Sequence, residues 1–220
     1  MITVTSFEPF TEPQADSAKP RKTMSRGLII FIVVAALLSM YGCSSYNGLV
    51  DKDTNVDKYW SQVQTQYQRR ADLIPNLVRT VQGVANFEKG TLVAVQEARS
   101  RATGINLTAD QLTPENIQKF QAAQDQLSGS LSRLLAVSEN YPQLRATQNF
   151  SELQAQLEGT ENRIAVARND FNTSATDYNR SVRSFPNNIF AGIFGFDRKG
   201  LFEASAAAQN APTVDFGTQK

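Results

Sequence analysis

Every residue from Gly27 to Val50 is uncharged, and the stretch Leu28 to Leu38 (LIIFIVVAALL) is almost wholly apolar. A helix needs roughly 20 such residues to cross a bilayer, so this run constrains the chain more than any other feature. Tyr41 and Tyr46 fall where an interfacial aromatic belt lies. Lys19, Arg21, Lys22 and Arg26 precede the run, and Asp51, Lys52, Asp53 and Asp57 follow it. By the positive-inside rule the N-terminus is then cytoplasmic and everything after the run faces outward.

Two forms of attachment compete. In one, residues 27–48 are an uncleaved signal anchor, a single transmembrane helix. In the other, Met40, Tyr41, Gly42 and Cys43 form a lipoprotein cleavage box, with Cys43 as the lipidation candidate. Met40 and Tyr41 fit such a box poorly and the run is long enough for a full crossing, which favours the anchor. Cys43 as merely an apolar helix residue is the third reading. Residues 1–23 lack periodicity and contain Pro9, Pro13 and Pro20, so residues 1–26 are expected to be a disordered tail or a mis-assigned start, with Met24 as the true one.

From Leu49 onward the apolar positions take the helical period. Val56, Trp60, Val63 and Tyr67 mark a first helix ending near Ala71. Asp72, followed by Pro75 within one turn, predicts a new helix start. Ile74, Leu77, Val81, Val84, Leu92 and Val95 give the second stripe, running to about Ala102. Thr113, Pro114 and Glu115 open a third helix through Ile117, Phe120, Leu127, Leu131, Leu134 and Val137, which ends before Tyr141 and Pro142. Phe150, Leu153, Leu157, Ile164, Phe171, Tyr178, Val182 and Phe185 form the longest stripe, at a spacing close to that of a left-handed coiled coil. Amphipathic helices with short connections bury their stripes only against one another. The expected fold is therefore all-α: an N-terminal transmembrane helix, then an antiparallel up-and-down four-helix bundle with long helices over residues 49–185. Residues 186–220 are expected to form a Phe-rich membrane-proximal segment and a flexible tail. The bundle alternates direction, so the Arg69, Arg70, Asp72 corner and the Glu139 to Gln148 loop are expected at its far tip.

Composition narrows the chemistry. The chain has no histidine, which removes the commonest general base and zinc ligand, and one cysteine, which rules out an internal disulfide. A net charge of +1 gives no field suited to nucleic acid. Asp51, Asp53 and Asp57 lack the glycine and closing glutamate of a calcium loop, and no nucleophile turn or phosphate loop is present. A carboxylate pair such as Glu158 and Glu161 has no visible activating surroundings. We expect no catalytic residue, metal or cofactor, and no small-molecule substrate.

Two segments remain as candidates. FPNNIFAGIFGF, followed by Arg198, Lys199, Leu201 and Phe202, is too apolar for an ordinary loop. Phe185, Ile189, Phe190, Ile193, Phe194 and Phe196 at the acyl boundary, with Arg198 and Lys199 on anionic head groups, would make a membrane interface. The competing reading folds these residues back to seal the bundle. Arg69, Arg70 and Asp72 are the partner-binding candidates, a corner able to hold an acidic partner or a phosphate; a solvated, capped hairpin is the plainer alternative.

SSYNGLV, QRRADLIPNLV, NFEKGTLVAVQEAR, ENRIAVARNDFN, YNRSVRSFPNNIFAGIFGF and FEASAAAQNAPTVDF together make residues 27–216 resemble the bacterial LemA family. The resemblance implies an N-terminal membrane helix followed by a long-helix bundle, and supplies no reaction; with the charges flanking the apolar run, the expectation is a single-pass protein of the bacterial inner membrane with its helical domain on the outer side. Its expected partners are membrane lipid and an envelope protein or further copies of itself. The leading expectation is a structural or adaptor role; the other is a membrane-surface binding or remodelling module acting through residues 185–202.

Overall fold

The computed structural model describes residues 26–83 and 88–203. The reading of residues 1–23, the basic Lys19, Arg21 and Lys22, Val84, and the tail after residue 203 lie outside the described residues. All regular structure among the described residues is helical: α1 Arg26–Gln82, α2 Lys89–Gly104, α3 Pro114–Ser138, α4 Pro142–Arg145, α5 Gln148–Arg183 and α6 Asn187–Phe194, with a 3₁₀ turn at Ala109–Gln111. Contacts divide the chain between Tyr41 and Gly42 into two units. In the first, Ile30, Phe31, Leu37 and Met40 expose their side chains. By length and composition this part of α1 suffices to cross a membrane.

The second unit has two apolar clusters. One joins Ile74, Leu77, Val78 and Val81 of α1 with Leu92 and Val95 of α2, Leu127, Leu131 and Leu134 of α3, Leu144 of α4, and Phe150 and Leu157 of α5. The other joins Leu49, Val56, Trp60, Val63 and Tyr67 of α1 with Ile117 and Phe120 of α3 and the second half of α5, from Ile164 to Val182. Leu107, Leu112, Ala191 and Phe202 complete it in place of α2. Early α1 thus meets late α5 and early α3, whereas late α1 meets early α5 and late α3, so α5 runs opposite to α1 and α3. Arg99 and Ala102, late in α2, reach Ala71 and Gln124, and α2 runs opposite to both neighbours as well. Each buried Leu, Ile or Phe contributes about 1.5–3 kcal/mol.

The expected helix boundary at Asp72 is wrong: α1 continues through Pro75 to Gln82. A proline within a helix leaves the carbonyl four residues back without its donor. Here that carbonyl is Ala71 O, and the Arg99 side chain of α2 donates to it from Nε at 2.8 Å. The break falls instead after Gln82, so the Arg69, Arg70, Asp72 segment lies midway along the packed helices and not at a tip. The α3 start is as the capping pattern predicts: Pro114 is its first residue and Thr113 Oγ1 accepts from Asn116 N. The expected Glu139 to Gln148 loop contains the short α4, which buries Leu144.

Candidate functional site

The apolar segment after α5 divides in two. α5 ends at Arg183, and Phe185, expected at the end of its stripe, is 80% exposed. α6 follows and lies along Gly42 to Tyr46. A Cβ on Gly42 would stand 3.1 Å from the Phe190 ring, Ser45 Oγ donates to Asn187 Oδ1 at 2.9 Å, and Tyr46 meets Phe194 and Phe196 edge-on at 5.0 and 5.7 Å. Ala191 is buried on this side, while Ile189, Ile193 and Phe194 are exposed. Gly195, with φ 76°, caps the helix in the left-handed region. Phe185, Ile189, Ile193 and Phe194 therefore leave an apolar surface outward, and Phe190 and Phe196 are only partly exposed.

Beyond Gly195 the chain folds back. Phe202 is buried among Trp60, Phe120 and Phe171, with ring centroids at 6.2, 6.3 and 5.6 Å. Arg198 is exposed, but Lys199 turns inward, its side chain only 11% exposed, to pair with Asp53 Oδ1 at 2.9 Å and donate to Ala109 O. Lys199 is thus committed to an acidic pocket on α1 and is not presented to head groups. The Asp57 carboxyl, with a buried Oδ1 that has no hydrogen-bond partner, is pushed above its ordinary range by burial and then by Asp53, against the pull of Lys199. Burial, followed by Asp53, Asp197 and Asp57, raises the Tyr178 phenol likewise.

Arg69, Arg70 and Asp72 do not form one surface. Arg70 is 1% exposed; it donates to Gln124 Oε1 at 2.6 Å, Ser128 Oγ at 2.7 Å and Glu161 Oε1 at 2.7 Å, and stacks 5.0 Å from the Tyr67 ring centre. Arg69 and Asp72 remain exposed and line an open cleft of about 890 Å³ with Gln64, Gln68, Asn76 and Asn106. Asp72 there accepts from Gln68 at 2.8 Å. Cys43 has a free, exposed thiol. Glu158 and Glu161 are both exposed, and Glu161 serves Arg70.

Sequence reasoning missed Asn172, Asn179 and Gln121, which hold the returning segment. A signal existed: Asn172 and Asn179 are seven residues apart, on one helical face, each beside a core aromatic, Phe171 and Tyr178.

A helix with a bilayer-length apolar run leading into helices packed around two apolar clusters defines an all-helical protein with a candidate membrane segment. Residues 59–216 match the sequence model of the LemA family, and the chain belongs to that family. Among curated relatives it is 26% identical over 210 residues to magnetosome protein MamQ 2 of Paramagnetospirillum magneticum, covering 86% of this chain and 77% of that one. Magnetosome protein MamQ of Magnetospirillum gryphiswaldense is similar to the same extent. Protein LemA of Metamycoplasma hominis is 23% identical over 178 residues, 81% of this chain and 78% of its own. None of these names is that of an enzyme.

Proposed function

We propose that this chain is a membrane-anchored, non-enzymatic structural or adaptor protein of the bacterial cell envelope, with its N-terminus in the cytoplasm and its helical domain outside. The helical domain binds an envelope protein or further copies of itself. The observation that carries this is α1, whose exposed apolar part is continuous in sequence with the helix that organises both clusters. That the relatives are named for a family or for the magnetosome, not for a reaction, supports a structural role over a catalytic one. Crosslinking in intact membranes, followed by capture of the full chain, should enrich defined partners or the chain itself. Enrichment no greater than that of an anchor-only control refutes the reading. A reporter fused after Lys220 tests orientation separately.

A second reading, a membrane-surface module, is favoured by the outward face of α6. Phe185, Ile189, Ile193 and Phe194 form an exposed apolar patch with Arg198 nearby in sequence, the pattern of an interfacial helix. Anionic vesicles should bind the domain and release it when Phe185, Ile189 and Ile193 become Ser. Binding that survives these changes removes α6 as the cause.

A further inference from the structure

Residues 198–203 have no regular structure, yet side chains of α3 and α5 bond their main chain at several points. Three side-chain amides grip the main chain in pairs. Asn179 Nδ2 donates to Lys199 O at 2.8 Å while its Oδ1 accepts from Lys199 N at 2.9 Å. Asn172 does the same for Phe202, donating to O at 2.8 Å and accepting from N at 2.9 Å. Gln121 of α3 repeats the arrangement on Glu203 at 3.0 and 3.1 Å, and Arg168 adds a bond to Glu203 O at 3.0 Å. Gly200 N completes the series by donating to Leu112 O at 2.7 Å.

Two side chains three residues apart, Lys199 and Phe202, turn inward. Lys199 enters the pocket made by Asp53, Ala109 O and the Tyr178 ring, Leu201 is exposed, and Phe202 fills the aromatic pocket of Trp60, Phe120 and Phe171 under the Arg168 guanidinium. Between them Gly200 passes so close to the α3 start that a Cβ would lie 2.7 Å from Pro114 Cα and 2.8 Å from Thr113 O, backbone atoms that cannot rotate away. Main-chain bonds for affinity, with side-chain pockets for specificity, are how clefts recognise extended peptides.

We propose that the groove between α3 and α5, floored by α1, is a recognition site for an extended Lys-Gly-x-Phe peptide. It is filled at rest by this chain's own segment, and a second copy of this chain supplies the same segment in trans. This rests on the self-association half of the proposed function and gives it a place. Every copy carries both the groove and a sequence already shown to fit it, and exchange of an identical element is a low-cost route to assembly. Gly195, in the left-handed region at φ 76°, is where the segment departs α6.

The test uses the full chain in detergent micelles. Gly200→Ala keeps every groove side chain but bars its own segment, so a labelled peptide of sequence FDRKGLFE should bind this variant. Binding to the unaltered chain should be roughly ten- to a hundredfold weaker, because a tethered competitor acts at an effective concentration on the order of millimolar. The same peptide with alanine for glycine should not bind. Equal binding of both peptides, or of neither, overturns the proposal. If Gly200→Ala does not fold, hydrogen exchange on the unaltered chain decides: excess peptide must accelerate exchange at Lys199, Phe202 and Glu203, and no acceleration overturns it. Finally, Gly200→Ala, with groove intact, is mixed with Asn172→Ala/Asn179→Ala, with segment intact. The mixture should assemble where neither variant does alone; no assembly overturns the second copy as the source. Assembly of Gly200→Ala by itself would place self-association elsewhere, leaving the broader function standing while this site falls.

Discussion

Arg70 donates to Glu161 at 2.7 Å at the level where the two apolar clusters abut. On α1 it stands between Tyr67 and Ile74, on α3 its partners Gln124 and Ser128 flank Leu127, and on α5 Glu161 falls between Leu157 and Ile164. A polar layer thus separates the clusters and admits one register, because a shift of any helix leaves a buried guanidinium unpaired. Arg70→Ala should cost about 2–4 kcal/mol through lost bonds and packing. Glu161 is 45% exposed, so Glu161→Gln should cost less, about 1–2 kcal/mol. Denaturant titrations of both variants check the order; an equal or reversed order refutes it.

Pro75 and Arg99 should be coupled. With proline in α1, Arg99→Ala orphans the buried Ala71 carbonyl and costs about 1–3 kcal/mol. Pro75→Ala restores a helical N–H to that carbonyl, and in this background Arg99→Ala should cost measurably less. A double-mutant cycle reads the difference directly, and strict additivity would show that Arg99 does not compensate for the proline.

Asp57 sets a pH dependence. Its folded pKa lies above the ordinary 3.8, so between these values the native state binds more protons than the unfolded one and stability falls as pH rises. Above the raised value the charged carboxylate costs stability. Asp57→Asn should therefore raise the thermal midpoint at neutral pH, and the gain should vanish as pH falls to about 4. Melting curves across that range check it; a gain independent of pH would assign the effect to something other than the charge.

Gly42 allows α6 to seat. With 3.1 Å between its would-be Cβ and the Phe190 ring, Gly42→Ala requires a shift of a few tenths of an ångström, whereas Gly42→Leu should unseat the helix. Hydrogen exchange over residues 187–194 should rise in Gly42→Leu and stay near the original in Gly42→Ala. Unchanged protection in both would mean that α6 does not depend on this contact.

The core was legible because its signal is local. Val56, Trp60, Val63, Ile74, Leu77, Ile117, Leu134, Phe150, Phe171 and Tyr178 recur at the helical period and are all buried. What was hidden depends on residues distant in sequence. Asp72 and Pro75 carry the marks of a helix start, and only Arg99, on another helix, explains why α1 continues. Lys199 reads as a surface cation until Asp53 is opposite it, and Asn172 and Asn179 look solvated until the main chain of Lys199 and Phe202 lies across them. In the candidate interface the apolar composition of residues 185–202 was plain, yet composition does not say that Phe202 turns in while Phe185 turns out.

The order of synthesis gives the Trp60 and Phe202 contact a further meaning. Trp60 is made early and its last aromatic neighbour late. A nascent chain, or one cut before residue 196, has every helix of the Trp60 cluster except its lid, and its single tryptophan keeps Phe120 and Phe171 but lacks the stacked ring of Phe202. Emission from that residue accordingly times the final closure of the fold, and an incomplete copy carries an open aromatic pocket by which a protease or chaperone can tell it from a finished one.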